Sequence, residues 1–207
     1  MAQSAQSDRG TRAVALLFVT GSALFALGSL PPYFENVSSA LVAWTFFVGS
    51  VLFTAAALMQ LLQSRGDRAA AVSASAVQLL GTVLFNLSTF SATRDLSTQQ
   101  AERLVWAPDV YGSAAFLIAG ALGWVVVCGR LWCWRPGSPD WQMAALNMLG
   151  ALAFGLAAAG AFLLPTTGEP VNIRWVNAGT FLGACCFLWA ALILLSGIAR
   201  RPRATTA

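Results

Sequence analysis

Gln78 and Asn147 are the side chains in this chain with most chemical potential, because each sits inside a long apolar run. Each stands three residues before a glycine, Gly81 and Gly150. An unpaired amide in lipid is costly, so each needs a partner or a water-filled cavity. An inter-helix amide clamp, contributing about 0.6 kcal/mol on average, is the expected role; a polar lining for a solute path is the alternative. Asn86 is read in the same way, and Asn177 lies nearer a run's end. Asp109 occupies the same minus-three position before Gly112. It is expected to be a helix-start carboxylate at the membrane interface, where it complements the helix dipole. The alternative is a proton- or cation-coupled site, with Glu35 as a second acid.

For catalysis the inventory is poor. The chain has no His and no Lys, no Gly-rich phosphate loop, and no pair of acids spaced to face one cavity. No enzyme activity and no cofactor are expected. Cys128, Cys133, Cys185 and Cys186 lack zinc-ribbon spacing, so no metal site is expected. Cys185 and Cys186 fall within a run, while Cys128 and Cys133 flank a turn assigned to the cytoplasm. None is expected to form a disulfide, and all four are read as small apolar packing residues. The sequons at Asn36 and Asn86 match by pattern only.

These residues hang on a repeated phrase. It reads GSALF at Gly21, GSVLF at Gly49, GTVLF at Gly81, GSAAF at Gly112, GALAF at Gly150 and GACCF at Gly183. Seven and eight residues after each glycine comes a pair of small residues: Gly28-Ser29, Ala56-Ala57, Ser88-Thr89, Ala119-Gly120, Ala157-Ala158 and Ala190-Ala191. Positions i, i+4, i+7 and i+8 share a helix face. Each copy therefore builds a helix with a smooth stripe and one Phe set into it, which lets helix backbones approach closely in lipid. Leu194 is read as lipid-facing.

The composition is 57% hydrophobic and 10% charged, with a mean hydropathy of +0.69. Six apolar runs, at roughly 13–30, 38–62, 70–92, 108–129, 141–164 and 176–197, are long enough to cross a bilayer core of about 30 Å. The expected fold is an all-α polytopic transmembrane bundle of six spans built from Gly-Ser-x-x-Phe helices. Three two-helix hairpins, about 13–62, 70–129 and 141–197, describe it most economically; two inverted triplets are the rival. Residues 1–12 are expected to be a disordered cytoplasmic segment and 198–207 a basic cytoplasmic tail.

All 12 basic residues are Arg. Arg9, Arg12, Arg65, Arg68, Arg130, Arg135, Arg200, Arg201 and Arg203 fall on one side of a six-span arrangement, against Arg94, Arg103 and Arg174 on the other. This asymmetry places both termini in the cytoplasm and the protein in the cytoplasmic membrane. The net charge of +4 is therefore not a nucleic-acid footprint, because no folded basic face exists. The partner is the lipid bilayer; a second copy or another membrane protein remains open. Arg9 and Arg12 ahead of the first run have the outline of a secretory signal, with Ala26-Leu27-Gly28 like a cleavage site. The packing stripe in that run argues that it stays as a span.

Between runs, Pro31-Pro32 ends the first helix and Arg65-Gly66-Asp67-Arg68 makes a tight turn. Residues 93–107 are expected to be the longest loop, with Pro108 in the first turn of span four. The turn from Arg130 to Gly137 places Trp and Arg at headgroup level.

The two-helix unit with this phrase resembles the YrhK-like domain of small bacterial membrane proteins. The residues that carry the likeness are Phe47-Val48-Gly49-Ser50-Val51-Leu52-Phe53 and Leu80-Gly81-Thr82-Val83-Leu84-Phe85-Asn86. Trp106-Ala107-Pro108-Asp109 and Leu146-Asn147-Met148-Leu149-Gly150 look like phrases of larger six-span relatives from actinobacteria, extending the resemblance over nearly all of 13–197. It implies a membrane fold and brings no activity and no functional residues. The expected role is that of a non-enzymatic structural or accessory membrane protein; the alternative is a small-solute or ion transporter or channel built on repeated hairpins.

Overall fold

The computed structural model describes residues 2–199, with side chains from Asp8 onward. Arg200, Arg201 and Arg203 of the basic tail lie outside the described residues. Among the described residues the chain is an all-α polytopic bundle with six helices long and apolar enough to cross a membrane. Span one is Ala2–Gly28, span two Ser39–Gln63, span three Ala69–Ser91, span five Pro139–Gly160 and span six Ile173–Ala199. Span four is continuous over Thr98–Cys128. The helix that carries span one begins at Ala2, in a segment expected to be disordered, and its membrane-crossing part is Asp8–Gly28; Ala2 to Arg9 contains no glycine or proline to stop the helix extending backwards.

Local chemistry sets several ends. Ser38 accepts from the Leu41 amide at 3.3 Å, and the Asn172 side chain accepts from Arg174 and Trp175, supplying partners for otherwise orphaned donors. Span four closes at Gly129, whose φ of 67° is the left-handed conformation that suits glycine. Span five stops at Gly160, short of the expected 164. Residues 162–171 instead fold back as a small hairpin, with Leu163 bridged to Pro170.

Span four corrects the expected loop at 93–107. Helix begins at Thr98, behind a Ser97–Gln100 capping box, and passes through a π-helical turn at Glu102–Trp106. There the Ala107 amide bonds back to the Glu102 carbonyl. Pro108 lacks an amide proton and would clash with the carbonyl four residues behind it. The wider π turn relieves that conflict, so the helix runs through the proline instead of starting at it.

The six spans pack in sequence, one against two, two against three, onward to five against six, and span six closes against span one. The result is a ring with both described ends on one face, called here the terminal face. Large apolar side chains point out of it, including Leu80 and Leu182 at 56% and 57% exposure, while Ser22 and Thr82 are fully buried at 0%. That inversion of a soluble protein's pattern marks an integral membrane protein, in which small residues let backbones approach.

Within each of the pairs one–two, three–four and five–six, the motif glycines meet. A Cβ on Gly21 would lie 3.0 Å from the Gly49 carbonyl oxygen, one on Gly81 3.1 Å from that of Gly112, and one on Gly183 3.0 Å from that of Gly150.

Candidate functional site

The motif phenylalanine stands four residues after its glycine, and neighbouring spans run in opposite directions. Phenylalanines of the odd spans are therefore displaced away from the terminal face and those of the even spans toward it. Phe25, Phe85 and Phe154 form one layer, with ring centroids 5.6, 5.9 and 6.4 Å apart. In the second layer Phe187 lies 6.0 Å from Phe53 and 5.9 Å from Phe116. The layers join through Phe25–Phe53 at 5.8 Å, Phe85–Phe116 at 5.2 Å and Phe154–Phe187 at 5.7 Å. The space among them is about 10 Å³, at the lower bound for one water molecule.

On the terminal side the ring is hollow. A cavity of about 400 Å³ extends from the plug toward the terminal face, lined from all six spans. Its floor is Phe18, Phe116 and Phe187, and its wall is thin where Ala119, Gly120, Gly123, Ala144, Ala190 and Ala191 leave room. Its polar groups are Gln78 and Asn147 with Thr11, Gln60, Gln63 and Asp140. Asp140 is the charged member among these described residues.

Gln78 and Asn147 thus come together across one cavity. Neither makes a hydrogen bond among the described residues, so the amide clamp expected of them is absent. Cavity water can take the place of a protein partner. Gln60, Gln63 and Asp140 belong with them and were not singled out from the sequence. The signal was there: Asp140, Met143, Ala144 and Asn147 stand at i, i+3, i+4 and i+7, one helix face. The same spacing carries Phe187, Ala190, Ala191 and Leu194, which corrects the reading of Leu194 as lipid-facing.

Asp109 lies elsewhere. It follows eleven residues of continuous helix, so the helix-start reading does not hold. Span four enters from the face opposite the termini, Asp109 precedes Gly112, and it is absent from the cavity lining. The carboxylate is half-buried and forms no hydrogen bond or ion pair among the described residues.

Asn86 is also absent from the cavity lining, and it does have a partner across a span boundary. Its Nδ2 donates to Thr54 Oγ1 at 2.8 Å, beside a 2.8 Å hydroxyl contact between Ser50 and Thr89. This is the geometry of a clamp between spans two and three. The Asn86 Oδ1 is buried without a partner, as are the hydroxyls of Ser22 and Ser113.

At the rim of the cavity, Cys128 and Cys133 are joined as a disulfide with Cα atoms 5.5 Å apart. This corrects the reading of both as free packing residues. Gly129 reverses the chain immediately after Cys128, and that brings the two together. Two indoles hold the same loop: Trp124 donates to the Leu131 carbonyl at 3.0 Å and Trp141 to that of Cys133 at 3.1 Å. Leu131, Trp132 and Trp134 project outward, suited to the headgroup region. Cys185 and Cys186 are free.

Compared with protein-family models, curated proteins and solved structures, the chain matches none. The site's meaning rests on its own geometry.

Proposed function

We propose that this protein moves a small solute across the bilayer, with the cavity as a vestibule and the six phenylalanines as a barrier that must part for passage. The observation that carries this reading is the placement of Gln78 and Asn147, unpaired and facing one shared cavity. A purely structural or accessory role would be served by dry amide pairs at those positions. The vestibule has the size of a small-molecule site, about 300–1,000 Å³, with an apolar wall and a few polar groups.

The proposal keeps the protein non-enzymatic and YrhK-like, built of three hairpins in the cytoplasmic membrane. The arginine asymmetry supports a vestibule that opens to the cytoplasm.

Reconstitution tests it. Proteoliposomes carrying the wild-type chain should pass small polar solutes faster than those carrying Ala144→Trp, which fills the vestibule from its wall. Equal flux through both, at equal incorporation, would sink the reading.

A further inference from the structure

The lining of the vestibule restricts what it can hold. Among the described residues its charged group is the carboxylate of Asp140, and none of the lining residues is an arginine. Asp140 makes no ion pair or hydrogen bond among the described residues. Below it the amides of Gln78 and Asn147 offer carbonyl oxygens, and the floor of Phe18, Phe116 and Phe187 offers aromatic surface. An anion would face the carboxylate with no cation in the described lining to receive it. A neutral solute would leave that carboxylate uncompensated as it displaced water from the mouth. Aromatic surface and a carboxylate both attract an organic ammonium group.

We propose that the vestibule takes an organic cation, a compact ammonium-bearing molecule with an apolar body. This rests on the vestibule reading above and names its ligand class. The ammonium group pairs with Asp140, and the body reaches inward along Met143 and Leu194 to the phenylalanine floor. From Asp140 to Asn147 is seven residues of helix, about 10 Å at 1.5 Å per residue, which sets the length of molecule that fits. Among the described residues, Arg9, Arg12, Arg65, Arg68, Arg130 and Arg135 belong to the same face but lie outside the lining. At physiological salt their field is screened over about 8 Å.

The test uses the full chain in nanodiscs of zwitterionic lipid and three probes: benzyltrimethylammonium, neutral benzyl alcohol and anionic benzenesulfonate. Benzyltrimethylammonium should bind best. Its affinity should fall about tenfold in Asp140→Asn, the equivalent of one lost charge contact, and vanish in Ala144→Trp. Both variants must unfold at the wild-type temperature to count. If the neutral or anionic probe binds as well and Asp140→Asn changes nothing, while Ala144→Trp still blocks binding, the cation class is wrong and the vestibule reading survives. If benzyltrimethylammonium binds the wild type and both variants alike, the site is not the vestibule and the proposal falls. Absence of binding by all three probes also overturns the cation class, and the flux comparison with Ala144→Trp then decides the vestibule reading separately.

Discussion

Gly150 and Gly183 lie backbone to backbone: a Cβ on either would come within 3.2 Å of the other's carbonyl oxygen. Phe187 rests on Gly150 and Phe154 on Gly183, so a side chain there would also displace a ring of the central plug. Replacing Gly150 by Leu should therefore separate spans five and six and disturb the plug together. The expected loss is about 1–3 kcal/mol, typical of overpacking. Leu149→Ala, at a lipid-facing position 55% exposed, should cost much less. Thermal unfolding in mild detergent measures both, and equal stability would mean the glycine contact does not hold the pair.

The clamp at Asn86 and Thr54 calls for a double-mutant cycle. Thr54 also donates to the Ser50 carbonyl at 3.1 Å, so it keeps a partner when Asn86 becomes Leu. The coupling between Asn86→Leu and Thr54→Val should be about 0.6 kcal/mol, the average for polar contacts between membrane helices. A coupling indistinguishable from zero would show that the 2.8 Å contact contributes nothing.

How much of this was legible beforehand depended on the range of the contacts. The six spans and the glycine stripe could be read because hydropathy and helical periodicity are local. The course of span four could not, since Pro108 ordinarily opens a helix and only the π turn behind it shows otherwise. The vestibule was invisible for a different reason. It exists because small residues such as Gly120, Gly123 and Ala144 face one another across a closed ring, and closure of span six on span one is a long-range event. A small-residue stripe looks the same whether it meets a neighbour or lines a void.

Removing a plug residue should raise flux at a cost in stability. Phe154 belongs to the layer farther from the vestibule and contacts Phe25, Phe85 and Phe187. Phe154→Ala should cost about 3–5 kcal/mol, as for large-to-small changes in packed interiors, and leave a gap on the axis. In proteoliposomes its solute flux should exceed wild type. A destabilised protein with unchanged flux would show that the barrier lies elsewhere.

The Cys128–Cys133 pair bears on orientation. The proposed orientation puts the terminal face in the cytoplasm, where thiols are normally kept reduced. In intact cells both cysteines should then be thiols, closing into the disulfide after oxidation of the purified protein. Reporter fusions after residues 66 and 136 should signal cytoplasm in the same cells. A disulfide already present in cells, with external signals from those fusions, would invert the membrane orientation. Loss of this short cross-link should cost about 2 kcal/mol by loop entropy, read as the unfolding shift of Cys133→Ser under oxidising conditions.

Gln78 and Asn147 separate the two functional classes most directly. If they were a clamp, changing either to Leu would strand the other in a dry interface. The double variant would then recover much of the loss, because removing a buried pair together is nearly neutral. Facing a wet cavity, each amide instead exchanges with water independently. The two substitutions should then add, with coupling below about 0.5 kcal/mol, as for sites that share no partner. Each single variant should remain folded and lose solute flux, since an apolar side chain at the vestibule removes a site of solvation on the path. Unfolding in detergent gives the coupling and proteoliposome flux gives the phenotype. A large favourable coupling with flux intact would restore the clamp and return the protein to a structural role.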